Sequence, residues 1–186
     1  MRWVWLALTA VTLTGLALAF YVRSRPAGIS VSRSLSIQAP PERVFALIED
    51  LHAWPQWAPQ DRSDATLQRS YSGAARGVGA QSDWTSRGSG GSGHMVVTAA
   101  RAPHEVVVQV DFRRPFVAHN LNTFTLEPAG RDTRLTWSMQ GSNPLLLRLI
   151  SLFSSPDRML GRHFEAGLAN LAALAEQGTA TAPAGP

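Results

Sequence analysis

Residues 155–176 read SPDRMLGRHFEAGLANLAALAE, and this stretch decides the fold class. Ser155, Pro156 and Asp157 are residue types that favour the first turn of a helix. Apolar side chains then recur at helical spacing, which predicts one long amphipathic helix that ends near Gly178. Its apolar face consists of Leu160, Phe164, Leu168, Leu171 and Leu174.

The region before this helix predicts an antiparallel sheet. Residues 29–37, ISVSRSLSI, alternate apolar side chains with mainly serine, which is the pattern of a half-buried strand. Further alternating segments stand between Gly, Pro and Asn turn signals, as in a meander. They cover residues 65–71, 80–86, 94–101, 105–113, 116–127 and 133–141. The order of elements predicts an α+β fold in which a curved sheet wraps around the last helix.

Shorter helices are predicted elsewhere. Residues 42–51, ERVFALIEDL, have apolar side chains at helical spacing. Residues 52–61, HAWPQWAPQD, contain prolines that forbid a long helix, so we expect a short helical turn that closes one end of the fold. Trp54 and Trp57 within it either gate access to the interior or pack beneath the turn. Another helical segment is predicted over residues 144–153.

The N-terminus predicts a transmembrane helix. Residues 3–22, WVWLALTAVTLTGLALAFYV, contain no charged side chain, and about twenty such residues span the hydrocarbon layer as a helix. Arg2 and Arg23 flank the stretch. We interpret residues 1–23 as a single-pass anchor and residues 24–28 as a linker.

A cleaved secretory signal is the alternative, because Ala17-Leu18-Ala19 has the small-x-small form of a cleavage site. The apolar core is longer than the roughly 7–15 residues of ordinary signals, which favours the anchor. The distribution of arginines around the stretch favours a cytoplasmic domain. Cleavage would instead give a secreted or periplasmic protein.

Composition excludes several kinds of chemistry. All 17 basic residues are arginine and cysteine is absent, which removes lysine Schiff bases, thiol nucleophiles, thiolate metal ligands and disulfides. The arginines are scattered, so no nucleic acid partner is predicted. The five histidines lack metal-ligand spacing, so neither a metal nor another cofactor is expected. His119 and Asp111 are predicted to lie on the same outward face of adjacent strands, where solvated side chains are favoured over an acid–base pair.

The glycine-rich stretch RGSGGSG, residues 87–93, has no GK[ST] ending and no helix after it. It is therefore interpreted as a hairpin tip rather than a phosphate-binding loop. The sequence also lacks a GxSxG elbow, which excludes a serine hydrolase of that design.

Two asparagines interrupt an apolar set on the predicted inward face of the sheet. Alternation places Asn120 and Asn122 beside apolar side chains, and a buried amide without partners costs about 1 to 3 kcal/mol. Either the protein satisfies both amides, or a ligand does. Aromatic and Met residues on the same face could line a cavity or serve as plain core.

Two blocks of the sequence resemble the SRPBCC or START-like superfamily, specifically its polyketide cyclase/dehydrase-type members. They are VFALIEDLHAWPQWAP, residues 44–59, and GRHFEAGLANL, residues 161–171. The resemblance covers residues 29–177 and leaves residues 178–186 as a predicted disordered tail. It implies a Bet v 1-like helix-grip fold with a cavity for a lipid, polyketide or similar apolar molecule. Unlike typical members, this chain begins with a membrane span.

The residues expected to line this cavity come from the inward strand faces, the predicted turn and the last helix. They are Trp57, Trp84, Met95, Val108, Val110, Phe112, Asn120, Asn122, Phe124, Trp137, Met139, Leu160 and Phe164.

Three functions remain open at this point. The first is a membrane-anchored protein that binds or carries a small apolar ligand. The second is a cyclase or dehydratase that uses the same cavity, with Asn120 or Asn122 polarising a carbonyl; the sequence offers no convincing base and no catalytic residue is assigned. The third is a scaffold for a partner protein at the membrane. The oligomeric state is not predicted.

Overall fold

The computed structural model describes residues 2–24, 28–142 and 156–177. It confirms the α+β helix-grip fold, in which a seven-stranded antiparallel sheet holds one long C-terminal helix. The strands are β1 (Gly28–Ile37), β2 (Gln68–Gly73), β3 (Ala80–Thr85), β4 (Ser92–Arg101), β5 (Glu105–Arg114), β6 (Ala118–Ala129) and β7 (Asp132–Ser142). The helices are α1 (Arg2–Ser24), α2 (Pro41–Glu49), α3 (Trp54–Trp57), α4 (Pro59–Ser63) and α5 (Pro156–Gln177). The helix predicted over residues 144–153 and the tail predicted over residues 178–186 lie outside the described residues.

The strand order is β1-β7-β6-β5-β4-β3-β2, and every neighbouring pair is antiparallel. The predicted meander is confirmed, because β2 to β7 follow one another in space as they do along the chain. β1 adds to the sheet by pairing with β7, from Gly28 beside Ser142 to Ile37 beside Thr133. The first and last strands are therefore neighbours.

Four strand ends meet at one end of the sheet, which we call the mouth end. The start of β1 lies beside the end of β7 there, with Gly28 opposite Ser142. The end of β5 and the start of β6 meet at the same end, with Phe112 opposite Ala118. The chain therefore enters the domain from α1 at the mouth end.

A salt bridge fixes α5 along β1. Arg33 of β1 donates to Asp157 Oδ1 in the first turn of α5, at 2.9 Å. Near the other end of both elements, the Gln38 backbone N–H donates to Glu176 Oε1 at 2.9 Å. A Cβ atom at Gly161 would overlap the Arg33 guanidinium, so glycine permits this close approach. The N-terminus of α5 consequently lies near the mouth end.

The segment predicted over residues 65–71 begins later as a strand, at Gln68. The reason is a turn held by Asp64, whose Oδ1 accepts a hydrogen bond from the Thr66 backbone N–H at 3.0 Å. The Leu67 backbone N–H also donates to the Asp64 carbonyl, at 3.1 Å. These local bonds compete with strand pairing, as is typical of Asp.

The N-terminal helix α1 is long and apolar enough over Arg2–Tyr21 to cross a membrane, by length and composition, and none of that stretch is buried against the domain. A signal sequence near the N-terminus meets the same criterion. The structure is therefore consistent with both interpretations of this segment and shows no side of a membrane.

Candidate functional site

A cavity of about 520 Å³ lies between the inner face of the sheet and α5. Short helices α3 and α4 close it on one side, and the mouth end of the sheet borders it on the other. The short helical turn predicted over residues 52–61 is thus two helices, each with a proline in its first turn. Helix and sheet fail to meet completely here, which leaves the space between them.

Most of the residues that the sequence predicted for this cavity lie on its wall. They are Trp84, Met95, Val110, Phe112, Asn120, Asn122, Trp137, Met139, Leu160 and Phe164. Strand alternation placed the sheet residues on the inner face, and the apolar stripe of α5 placed the last two. Contact of any of them with a ligand stays a prediction.

Trp57, Val108 and Phe124 do not line the cavity. Each is fully buried, and Trp57 packs edge-on against Phe124 with ring centroids 6.2 Å apart. The Trp57 indole N–H donates to the Leu47 carbonyl at 3.2 Å, which holds the ring beneath α3. Trp54 borders the cavity but is itself buried. Both tryptophans therefore pack under the closed side of the fold, and a role of Trp54 in access to the cavity stays a prediction.

A buried ion pair forms the polar part of the wall. Arg69 of β2 donates to both carboxylate oxygens of Asp61 in α4, at 2.5 and 2.7 Å. The two side chains are only 8% and 5% exposed, and both border the cavity. Arg69 also donates to Ser82 Oγ at 3.3 Å and lies 6.0 Å from the Trp84 ring centroid. A bidentate pair of this kind neutralises both charges where water is scarce.

This pair was not predicted from the sequence. Arg69 stands opposite Trp84 in the β2–β3 register, so it shares the inward face. An arginine at an inward position signals a buried partner, because an unpaired buried charge is costly. Asp61 is that partner. It lies in the proline-rich segment 52–61, for which a helical turn was predicted.

Asn122 supplies a free hydrogen-bond donor inside the cavity. The Trp137 indole N–H donates to Asn122 Oδ1 at 2.9 Å, which fixes the orientation of the amide because an indole can only donate. Asn122 is 6% exposed, and no described residue accepts a bond from its Nδ2. Asn120 also borders the cavity, and its side chain likewise has no hydrogen-bond partner among the described residues. The described residues thus satisfy the Asn122 amide in part, through its Oδ1, and do not bond to the Asn120 amide.

His163 on α5 also borders the cavity. From the sequence, the histidines were considered as metal ligands, and no role was predicted for His163. Burial lowers its pKa from the ordinary value of 6.5, because desolvation penalises the imidazolium form. The ring lies 6.4 Å from the Trp137 ring centroid, among aromatic neighbours. At neutral pH it is a neutral imidazole that can accept a proton.

The glycine-rich tip between β3 and β4 is confirmed as a hairpin, and Asp64 organises it. Asp64 Oδ2 accepts hydrogen bonds from Ser86 Oγ at 2.5 Å and from the Gly90 N–H at 3.0 Å, and Oδ1 accepts one from Thr66 Oγ1 at 2.7 Å. The Ser86 and Thr66 hydroxyls and the Gly90 N–H hold the Asp64 pKa well below its usual range. The Gly90 carbonyl in turn accepts from the Trp84 indole, so the tip is fastened to the cavity wall.

His119 and Asp111 lie on the outward face as predicted, and they form the pair that was the less favoured alternative there, away from the cavity. His119 Nδ1 and Asp111 Oδ1 are 2.7 Å apart across neighbouring strands, and the His119 side chain is 69% exposed. The described part of the chain contains no group of three His, Asp or Glu residues that could hold a metal ion.

Solved structures share this fold. The chain is similar to a protein from Chromobacterium violaceum, with 20% identity and a TM-score of 0.57 over 82% of this chain and 99% of that one. A protein from Rhizobium loti matches at 23% identity and a TM-score of 0.54, over 78% of this chain and 96% of that one. The di-domain ARO/CYC protein StfQ of steffimycin biosynthesis matches at 10% identity and a TM-score of 0.62, over 83% of this chain and 53% of its own. At such identities the likeness shows the fold alone.

No curated protein matches the chain. A family model does match, over residues 28–176, and it describes polyketide cyclases, dehydrases and lipid transport proteins. That match spans the sheet, the cavity and α5. The chain therefore belongs to the polyketide cyclase/dehydrase and lipid transport family.

Proposed function

We propose that the protein is a membrane-anchored binder of a small apolar ligand that carries one uncharged hydrogen-bonding group. The observation that carries the proposal is the cavity of about 520 Å³, whose wall is mainly apolar. Such a volume is typical of a site for a small molecule, with a few polar groups that fix its orientation.

The polar groups of the wall favour a neutral ligand. Asp61 already compensates the Arg69 guanidinium with two hydrogen bonds, so the pair offers no net charge to an acid or an amine. Among the described residues, the buried Asn122 amide keeps an Nδ2 donor that no protein group accepts, and this donor suits a carbonyl or hydroxyl oxygen. A ligand with a ketone, ester or hydroxyl on an apolar skeleton satisfies this donor and fills the apolar space.

The α1 helix supports the membrane part of the proposal. It has the length and composition of a single span, and its apolar side chains are exposed in the isolated chain. An apolar ligand dissolves mainly in the bilayer, so a tethered cavity would exchange it with the membrane rather than with water. The arginine distribution of the sequence favours a cytoplasmic domain.

Binding of a ketone tests the proposal. Full-length protein in lipid nanodiscs is titrated with 2-undecanone and with undecane, and emission of the cavity tryptophans Trp84 and Trp137 is followed. We expect the ketone to bind more tightly, and Asn122→Leu to weaken ketone binding about 5- to 10-fold, the equivalent of one hydrogen bond. Undecane binding should change little.

The matched control is Gln140→Leu, which removes an exposed amide from the outward side of β7. It should leave both affinities unchanged. Native mass spectrometry of the same samples reports any ligand retained from the cell. A cavity that takes up neither probe, in a protein that is folded and empty, would refute the proposal.

His163 favours a second candidate function, a dehydratase of the cyclase type. In that reaction, neutral His163 removes the α proton of a bound β-hydroxyketone, while the Asn122 amide stabilises the enolate oxygen. The enolate re-forms the carbonyl and expels the β-hydroxyl group, which takes the same proton from the imidazolium and leaves as water. The product is an enone.

The dehydratase candidate predicts a characteristic pH profile. With 4-hydroxy-2-undecanone as substrate, enone formation should rise as pH rises through an apparent pKa below 6.5, because the lowered His163 pKa makes the neutral base available there. His163→Phe keeps an aromatic ring and should lower the rate at saturating substrate at least about 100-fold, a loss that a change in ketone affinity cannot produce. Equal rates in the two proteins, or no enone at all, would exclude this candidate and leave the binding proposal intact.

A further inference from the structure

The surface around the cavity mouth combines exposed apolar side chains with arginines that have no acidic partner among the described residues. Val117, in the loop between β5 and β6, is 63% exposed, and Met159, in the first turns of α5, is 46% exposed. Pro115 is exposed beside Val117 and borders the cavity together with Met159. Apolar side chains of this size, placed together at the rim of a cavity, indicate an interaction surface.

The charges at this end of the domain are unbalanced. The nearby carboxylates among the described residues are already engaged: Asp157 and Glu165 bind Arg33, Asp83 binds Arg113, Asp111 pairs with His119, and Asp64 is held in the hairpin tip. By contrast, the described residues provide no acidic partner for the exposed side chains of Arg87, Arg158 and Arg162, and Arg114 bonds only to hydroxyls. The apolar rim is therefore bordered by cations that lack counter-charges.

The same end of the domain is joined to α1. β1 begins at Gly28, and only residues 25–27 separate it from the end of α1 at Ser24. Four residue steps reach at most about 14 Å. If α1 crosses a bilayer, the start of β1 is held within that distance of the membrane surface. Ile29, the next residue, borders the cavity.

From these three observations we infer that the cavity mouth docks on the bilayer that holds α1, with Val117 and Met159 inserted among the lipid headgroups and the arginines against anionic phosphates. The inference deepens the proposed function and rests on its membrane anchor. Apolar insertion and attraction to anionic lipids reinforce one another in peripheral membrane binding. The docked mouth opens toward the acyl chains, so an apolar ligand passes between bilayer and cavity without crossing water.

Site-specific labelling of the full-length protein tests this docking. The chain has no cysteine, so Val117→Cys can be labelled with the fluorophore NBD at one position. The protein is reconstituted into vesicles of phosphatidylcholine with or without phosphatidylglycerol, and carbonate extraction checks insertion. We expect headgroup-region spin-labelled lipid to quench the probe several-fold more than in Ala129→Cys, whose position ends β6 at the opposite end of the sheet. Phosphatidylglycerol should increase the difference.

A charge variant separates the electrostatic part of the docking. The triple variant should abolish the increase in the quenching difference that phosphatidylglycerol causes, while leaving the fold intact. Its substitutions are Arg87→Gln, Arg158→Gln and Arg162→Gln. An NBD signal at Val117 that equals the Ala129 control overturns the inference. Extraction of the protein by carbonate also overturns the inference. A signal that depends on protein density rather than on lipid overturns it as well, because it would indicate a second copy on this surface.

Ketone binding is measured on the same reconstituted samples, so the two proposals can fail separately. Lipid contact at Val117 without any uptake of 2-undecanone supports the docking surface and refutes the ligand proposal. Uptake of 2-undecanone without lipid contact at Val117 supports the ligand proposal and refutes the docking surface.

Discussion

Replacing Asp61 by alanine is expected to lower the free energy of unfolding by about 3 to 5 kcal/mol. Arg69 would keep its buried position beside Trp84 and Met95 but lose both charge-assisted hydrogen bonds to Asp61. Removal of one partner from a buried ion pair leaves a desolvated charge, and this costs far more than the intact pair contributes. Urea unfolding in mild detergent, followed by tryptophan fluorescence, measures the loss.

The double variant Asp61→Leu with Arg69→Met is the control, since it removes both charges and keeps apolar volume. We expect it to recover most of the lost stability. It also keeps the result interpretable if Asp61→Ala does not fold. Equal destabilisation of the single and the double variant would show that packing, and not an uncompensated charge, dominates at this position.

The architecture was predictable because periodicity reports which face of an element is buried. The apolar stripe of α5 and the alternation of β1 and β5 to β7 each encode an inward face, and the structure confirms those faces. Asn122 was recognised for the same reason, as a polar side chain on an apolar face. Periodicity does not encode which part of an inward face borders the cavity and which part lies in the core. Val108 and Phe124 therefore have the predicted orientation and yet lie in the solid core.

The cavity residues that were not predicted were missed for a different reason. Arg69 and Asp61 lie in separate short elements, and no periodic pattern links an aspartate in a proline-rich turn to an arginine in an edge strand. Their pairing depends on the tertiary path that brings α4 against β2. His163 could have been assigned, because it precedes Phe164 on the inward stripe of α5 and so stands at its margin.

These differences separate the residues that pack the fold from the residues that give the cavity its polar groups. The residues that sequence patterns predict best are those that make the sheet and the helix pack. The residues that distinguish the cavity from a core are polar or charged, and the contacts that orient Arg69 and Asn122 come from other elements of the fold. A test of function must therefore alter the cavity while leaving the packed core unchanged.

Ala118→Trp makes such a change. Ala118 is buried at the start of β6 and borders the cavity at the mouth end of the sheet. An indole at this position occupies the space that a ligand needs, whereas the core beneath Trp57 and Phe124 stays as it is. We expect 2-undecanone affinity to fall at least about 100-fold, since a filled cavity offers no apolar burial for the probe.

Leu121→Trp is the matched control, because Leu121 lies on the outward side of the same strand and is 43% exposed. It adds the same ring to β6 without entering the cavity, so affinity should stay at the wild-type value. Both variants should unfold within about 1 to 3 kcal/mol of wild type, the usual cost of added volume. If Ala118→Trp binds the ketone as tightly as Leu121→Trp does, the probe sits elsewhere. The space between sheet and helix would then be a packing defect and not a binding site.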